Sequence, residues 1–336
     1  MIYIKKQQLI LLSTPKFRGR FRLRVKRADG SVRIDTGWFD NLITNAGLDQ
    51  LGLYSTNNTS YNIPYIAWAG FVGSGNTTPA YTDTTLTALV SGTYNAGGVM
   101  SSGVVNASAN PPTITWTGTF VFPAGSAAGT LAEVGVGTYL TLPSTNPGTN
   151  GTYQLFSHAL IVNSGGSPTT ITVLSNEELD VTYQLQEVIN TTIQTGNISI
   201  GGVTYNLSWL PLVGGQISSI TNPMSSGWTG TGSLATMEAY NGTVGSNITT
   251  GPSGTGLSGS GVTGSFASYT SGNYYIDGTW NATINDWNDP NDVGITAFII
   301  RSACIHNYQL GVTPAIPKTN FYSMTFTTRF SWNRYP

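Results

Sequence analysis

Charged residues make up only 9% of this 336-residue chain, so the side chains able to do chemistry are few. Glu177, Glu178 and Asp180 form the tightest acidic cluster. Two carboxylates roughly 5–10 Å apart across a glycosidic bond can share acid, base and nucleophile work. Here they follow Asn176 and read as a polar turn entering a strand. His158 and His306 are the two histidines, and no Gly-x-Ser-x-Gly elbow supplies them with a nucleophile. The run from Asn285 to Asp292 is the densest set of oxygen ligands, which suits calcium. Asp286, Asp289 and Asp292 are its candidate ligands, although Pro290 and the late Gly294 break the EF-hand spacing. Tyr274, Tyr275, Trp280 and Trp287 bunch among Asn and Asp. Rings beside such groups can stack on sugars and hydrogen-bond them, so these four are the candidate glycan-binding residues. Two GxGxxG matches, at Gly254–Gly259 and Gly259–Gly264, lack the strand, helix and later acid of a dinucleotide site. The single cysteine, Cys304, excludes an internal disulfide framework and a cysteine-based zinc site. No cofactor is expected.

Charge is segregated along the chain. Residues 1–33 hold ten Lys or Arg and one acid. From 34 to 300 there are 14 acids and no Lys or Arg, and residues 301–336 add four bases and no acid. Segregated charge implies segregated partners. Arg20, Arg22, Arg24 and Lys26 alternate with Phe21, Leu23 and Val25, a period of two that puts all four bases on one strand face. That face is the candidate docking surface for an acidic protein, with nucleic acid the lesser alternative.

These residues need a β scaffold. The 41 Gly, 16 Pro and abundant Ser, Thr and Asn disfavour helical bundles and favour short strands joined by turns. Aromatic residues are plentiful enough for a core. No apolar stretch reaches the roughly 20 residues of a spanning helix, so no membrane insertion is expected, and the start of the chain lacks the pattern of a signal peptide. Ala28-Asp29-Gly30-Ser31 predicts a tight hairpin turn. Thr44 or Asn45 caps a short helix with Leu48 and Leu51 on one face. The remaining pattern predicts an all-β chain of two β-sandwich, jelly-roll-like domains with very little helix. Residues 1–18 are an arm, expected to pack on a neighbouring chain. Residues 19–189 are a docking sandwich that opens with the basic hairpin, and 190–336 a distal β-rich domain. Met324, Phe326, Phe330 and Trp332, continuing from Tyr322, predict a last strand with one buried face, with Thr325, Thr327 and Arg329 opposite.

Gly37-Trp38-Phe39-Asp40-Asn41-Leu42-Ile43-Thr44-Asn45-Ala46-Gly47-Leu48-Asp49 resembles the N-terminal signature of tailed-bacteriophage virion proteins of the tail-fibre, collar and tail-tip type, in which a basic hairpin leads into "DNLITNxGLD". Further segments resemble that family in order: Val72 to Pro79 with Asp83-Thr84-Thr85-Leu86; Leu131 to Val136, around "EVG"; and Leu155 to Leu160, like "LFSRAL" with His158 in place of a base. Thr170 to Val173 and Glu178 to Tyr183 resemble its closing strands. The resemblance spans about residues 19–188. It implies a non-enzymatic virion structural protein, working as a homo-oligomer, with other virion proteins as partners and the virion as its location. A host-receptor or glycan-binding adhesin, with its site in 190–336, is the alternative reading.

Overall fold

The computed structural model describes residues 9–11, 14–53, 67–94, 100–101, 103–213, 236–257, 259, 261–289, 293–301, 305–321 and 323–336. In chain order the first half contains β1 (Leu9–Leu11), β2 (Lys16–Lys26), β3 (Val32–Asp35), β4 (Phe39–Asp40), β5 (Leu42–Ile43), α1 (Asn45–Leu53), β6 (Ala67–Gly73), β7 (Leu89–Tyr94) and β8 (Val104–Asn106). It continues with β9 (Thr113–Phe122), β10 (Gly129–Leu131), β11 (Glu133–Tyr139), β12 (Tyr153–Leu160), β13 (Ile171–Val173) and β14 (Glu178–Val188). The second half contains β15 (Gln194–Ile200), β16 (Val203–Leu212), β17 (Thr236–Tyr240), β18 (Val262–Phe266), β19 (Tyr275–Ala282), β20 (Ile295–Ile300), β21 (Asn307–Ile316), β22 (Met324–Ser331) and β23 (Asn333–Arg334). The protein is nearly all β, as its composition predicts, and α1 is the one helix among the described residues. No described helix is long and apolar enough to cross a membrane.

The first half is a sandwich. One sheet runs β23-β2-β14-β9-β8, with β3 and β4 also on β2; the other runs β5-β12-β11-β6-β7. Alternation along β2 buries Phe17, Phe21, Leu23 and Val25 and turns the bases outward. From the facing sheet Val134, Val136 and Phe156 complete the core. The β2–β3 turn closes as its sequence requires: Gly30 has φ 81°, and Asp29 Oδ1 accepts the Ser31 amide at 2.8 Å. Thr44 caps α1, its hydroxyl accepting the Gly47 amide at 2.9 Å. A Cβ at Gly47 would collide with the Phe156 carbonyl, so glycine lets the helix lie on β12. Leu48 and Leu51 are fully buried beneath it.

The second half is one antiparallel sheet, β22-β19-β18-β17-β20-β21-β16-β15, extended at its β22 edge by β1. It curls until its β22 end shares a core with β20 and β21. Phe298 of β20 meets Phe326 of β22 at 5.2 Å between ring centroids, and Tyr308 of β21 meets Phe330 at 6.0 Å. Met324, Phe326, Phe330 and Trp332 are buried on one side as predicted, and Tyr322 lies outside the described residues. Thr327 departs from the expected solvent-facing row. It is also buried and bonded to the Thr279 hydroxyl at 3.3 Å, because its strand is flanked on both sides, by β1 and β19.

The expectation that the arm packs on a neighbouring chain is corrected for its described part. β1 pairs in parallel with β22 of its own chain, Leu9 opposite Thr327. The expected arm also ends early, since β2 begins at Lys16. At the other end β23 leaves the distal sheet and pairs with β2, Arg334 opposite Phe17. Each half therefore holds a strand from the far end of the chain. α1 strengthens the junction. The Trp332 indole donates to the Leu48 carbonyl at 2.8 Å, and the Asp49 carboxylate accepts the Tyr269 hydroxyl, the Ser271 hydroxyl and the Gly272 amide at 2.6–2.7 Å. Fully buried His306 pairs with fully buried Glu187 across the same boundary.

Replacing a large buried aromatic by Ala costs about 3–5 kcal/mol. Phe326→Ala is expected to lose that much in chemical denaturation. Exposed Thr325→Ala on the opposite side should stay within about 0.5 kcal/mol of the parent.

Candidate functional site

Strand β2 places its bases as the sequence predicts, but most are already paired. Arg22 donates from Nε and Nη2 to the two oxygens of Asp35, at 2.8 and 2.5 Å, and Arg24 adds a third contact to Asp35 at 3.3 Å. The Arg22 bond drives the Asp35 carboxyl down to about 2. Lys26 lies 3.0 Å from Glu178 and 2.6 Å from Asp180 across the ladder to β14. Arg33 forks onto Glu177 at 2.5 and 2.6 Å. A uniform docking row from Arg20 to Lys26 is therefore corrected: Arg22, Arg24 and Lys26 spend their charge holding their own hairpin to its neighbours. The acidic cluster Glu177, Glu178 and Asp180 supplies counter-ions for that hairpin.

Lys16, Arg18 and Arg20, at the start of the strand, make no ion pair among the described residues. Arg18 donates Nε to Gln186 at 2.9 Å, and Arg20 donates Nε to Gln184 at 2.7 Å. Here the outer edge of β2 changes partner, from β23 at Lys16–Phe17 to β4 at Arg20–Phe21. A cleft of about 310 Å³ opens at this change, with Arg18, Asp40, Tyr81, Arg334 and Tyr335 among its walls. Arg334 stacks on Tyr81, its Cζ 4.3 Å from the ring centroid. It also donates Nε to the Ile43 carbonyl and Nη2 to Asn45 Oδ1, at 2.5 and 2.6 Å. Burial lowers its pKa against the smaller opposing fields of Tyr274 and Tyr81. Arg18 lies over Tyr335 at 5.4 Å, and Arg20 over Trp38 at 4.9 Å. Rings under guanidinium planes fix their orientation, and Arg18, with only its Nε committed, keeps an N–H edge for an acceptor.

Tyr81 is held at the cleft by a buried ionic clip. Glu133 is fully buried at the start of β11. Its carboxylate accepts the amides of Gly75, Thr87 and Ala88 at 2.8–3.1 Å and contacts His158 Nε2 at 3.1 Å. Nδ1 of the same imidazole lies 2.8 Å from Asp83, and Asp83 accepts the Ala80 amide at 2.8 Å. The clip ties both ends of the 74–88 loop over the outer face of the five-stranded sheet, where Leu86 covers Phe71, Tyr139 and Leu155. Burial opposes charge on His158, but the bonds to Glu133 and Asp83 outweigh it and raise its pKa. Burial likewise opposes charge on Glu133, and His158 with the Ala88 and Thr87 amides lowers its pKa. The segments around Gly73, Asp83, Glu133 and His158 lie far apart in sequence and converge here. A base is needed between two carboxylates, and His158 fills that place.

The distal candidates are corrected. Trp280 and Trp287 are fully buried, packed on Phe330 at 5.9 Å and Phe298 at 5.5 Å; neither offers a face to a sugar. Tyr275 is capped by the Arg329 guanidinium at 3.6 Å, and Tyr274 sits half-buried beside Arg334. The calcium candidates are spent on their own turn. Asp286 accepts the Thr283 amide and hydroxyl, both at 2.7 Å, and Asp289 accepts the Gly294 amide at 2.9 Å. Asp292 lies outside the described residues. Among the described residues no group of three or more His, Cys, Asp or Glu is placed to hold a metal ion.

Arg18 and Arg334 were visible in the sequence as bases at the two ends of the chain. Nothing in their spacing indicates that β23 returns to β2 and brings them to one cleft. Tyr81 carried no signal, since its place depends on the loop clip. Comparison with protein-family models, curated proteins and solved structures gives no match.

The clip makes stability depend on pH from both sides. The raised His158 pKa contributes fully below the ordinary histidine value and is lost as pH rises through the folded value. The lowered Glu133 pKa contributes above the ordinary carboxylate range and is lost as pH falls through the folded value. The melting temperature is therefore expected to be highest between about pH 5 and 6.5, and His158→Gln should flatten the alkaline limb. Glu133→Leu, which strands three amides and the imidazole, should cost about 3–5 kcal/mol.

Proposed function

We propose that this chain is a non-enzymatic structural protein of a tailed-bacteriophage particle, a tail, collar or fibre component. The observation that carries the reading is the convergence of the segments that resemble that family. Gly75, Asp83, Glu133 and His158, one from each of four such segments or their continuation, meet in one buried clip. The "DNLITNAGLD" stretch forms the β4–β5–α1 corner on which both halves are anchored. Segments that resemble a family in order and also form one contiguous network support descent of the whole sandwich from that family. The extensive β ladders and the neutral hydroxyl- and amide-rich composition suit a protein that folds once and then persists. In this reading the sandwich docks on the particle, the second half extends from it, and repeated copies give a symmetric assembly.

The adhesin reading loses two of its four rings to the core and has no specific observation in its favour. Antibody against the full chain, applied to gradient-purified particles from the bacterial source and viewed by electron microscopy, tests the proposal. Discrete label at one position on every particle is expected. Purified particles that contain none of the chain would overturn it.

A further inference from the structure

The fate of the carboxylates decides what the cleft at the β2 edge can bind. Asp35, Glu177, Glu178, Asp180, Glu238 and Asp277 are in ion pairs with Arg or Lys. Asp83, Glu133 and Glu187 are bound to histidine. Asp29, Asp49, Asp286 and Asp289 accept hydrogen bonds from nearby hydroxyls or amides. Among the described residues only Asp40 takes neither a hydrogen bond nor an ion pair, and it already lines the cleft. On the basic side, Lys16, Arg18, Arg20 and Arg334 form no ion pair among the described residues, and they gather at one end of β2. Against these four cations the cleft holds one acid, Asp40, which faces Arg20 across the β2–β4 pairing and attracts its charge, so a local excess of cations remains.

We propose that this cleft is a docking site for an acidic segment of another protein, taking an Asp or Glu side chain between Arg18 and Arg334. The inference rests on the particle reading only for who the partner is; the chemistry stands on the cleft. A second copy of this chain is a poor occupant, because all of its described carboxylates but Asp40 are engaged, and Asp40 sits inside its own basic cleft. A carboxylate fits better than a spherical anion. Arg18 is a planar fork held against Tyr335 with only its Nε committed, to Gln186, and its Nη edge matches a carboxylate in two parallel bonds; Arg334, whose Nε and Nη2 hold Ile43 and Asn45, adds its charge from the facing wall. Arg334 is also partly desolvated, and an incoming anion restores the counter-charge it lacks. Lys16 and Arg20, on the same side of β2 as Arg18, extend the favourable field along the strand for further acidic residues. Mobile solvent ions screen that outer part of the attraction beyond about 10 Å, so the stacked pair sets specificity and the outer bases set the rate of encounter.

Binding of a fluorescein-labelled hexaglutamate peptide to the full chain, followed by anisotropy at low and physiological salt, tests this. The peptide is expected to bind the parent. Arg18→Gln should weaken it by about tenfold or more, the loss of a charge-assisted bond. Arg18 is exposed, and among the described residues its one side-chain hydrogen bond is to Gln186, so this variant should melt with the parent. Arg27→Gln, at the exposed hairpin turn away from the cleft, should bind within about twofold of the parent. Unlabelled oligogalacturonate, inorganic phosphate and a short DNA duplex serve as competitors. The proposal is overturned by absence of peptide binding, by equal loss in Arg18→Gln and Arg27→Gln, or by better competition from any of the three than from unlabelled hexaglutamate. Particles that carry the chain while the peptide fails to bind would remove this inference and leave the structural role standing.

Discussion

A buried carboxylate without compensation would be among the costliest groups in this fold, and Glu133 avoids that cost by organising everything around it. Three backbone amides and one imidazole converge on two oxygens inside the sheet. A neutral residue of the same shape could satisfy some of those donors but could not hold the imidazole's charge. The loop it ties down covers the second hydrophobic cluster and carries Tyr81, and Tyr81 supports Arg334. From one buried charge the dependence runs outward to loop, ring, guanidinium and cleft. The surface site is therefore only as rigid as an interaction on the far side of the loop.

Much of the scaffold was legible in the sequence. The alternation from Arg20 to Lys26 gave β2 its buried and exposed faces, Asp29-Gly30 marked its turn, and Thr44-Asn45 marked the start of the helix. These are local signals, set by period two, by positive φ and by a cap. Ion pairing was not legible, because Arg33 meets Glu177 and Lys26 meets Asp180 across a ladder whose register only the folded sheet defines. The same blindness misplaced Trp280 and Trp287. Their polar neighbours suggested exposure, yet the alternation of β19 and the turn before β20 point both indoles inward. Composition around an aromatic residue says little about its burial when the strands are short and rich in Thr and Asn.

The exchange of terminal strands explains why residues 190–336 do not behave as a simple appendage. Asp49 serves the loop at 269–272, Trp332 seals α1, and Glu187 pairs with His306. Each contact joins residues whose separation in sequence exceeds a hundred positions. Long-range closure of this kind costs chain entropy before it returns contacts, and the contacts it returns tie the two halves to each other.

That exchange also has a mechanical meaning. β1 runs parallel to β22 and β23 runs parallel to β2, so tension applied through the flanking chain at the two ends pulls the partners of each pair in opposite directions along their length. Every hydrogen bond of a short ladder then shares the load at once, whereas a hairpin pulled apart at its open end yields one bond at a time. The two terminal ladders act as clamps in series with the body of the protein, and the weaker of them sets the force at which the chain begins to extend.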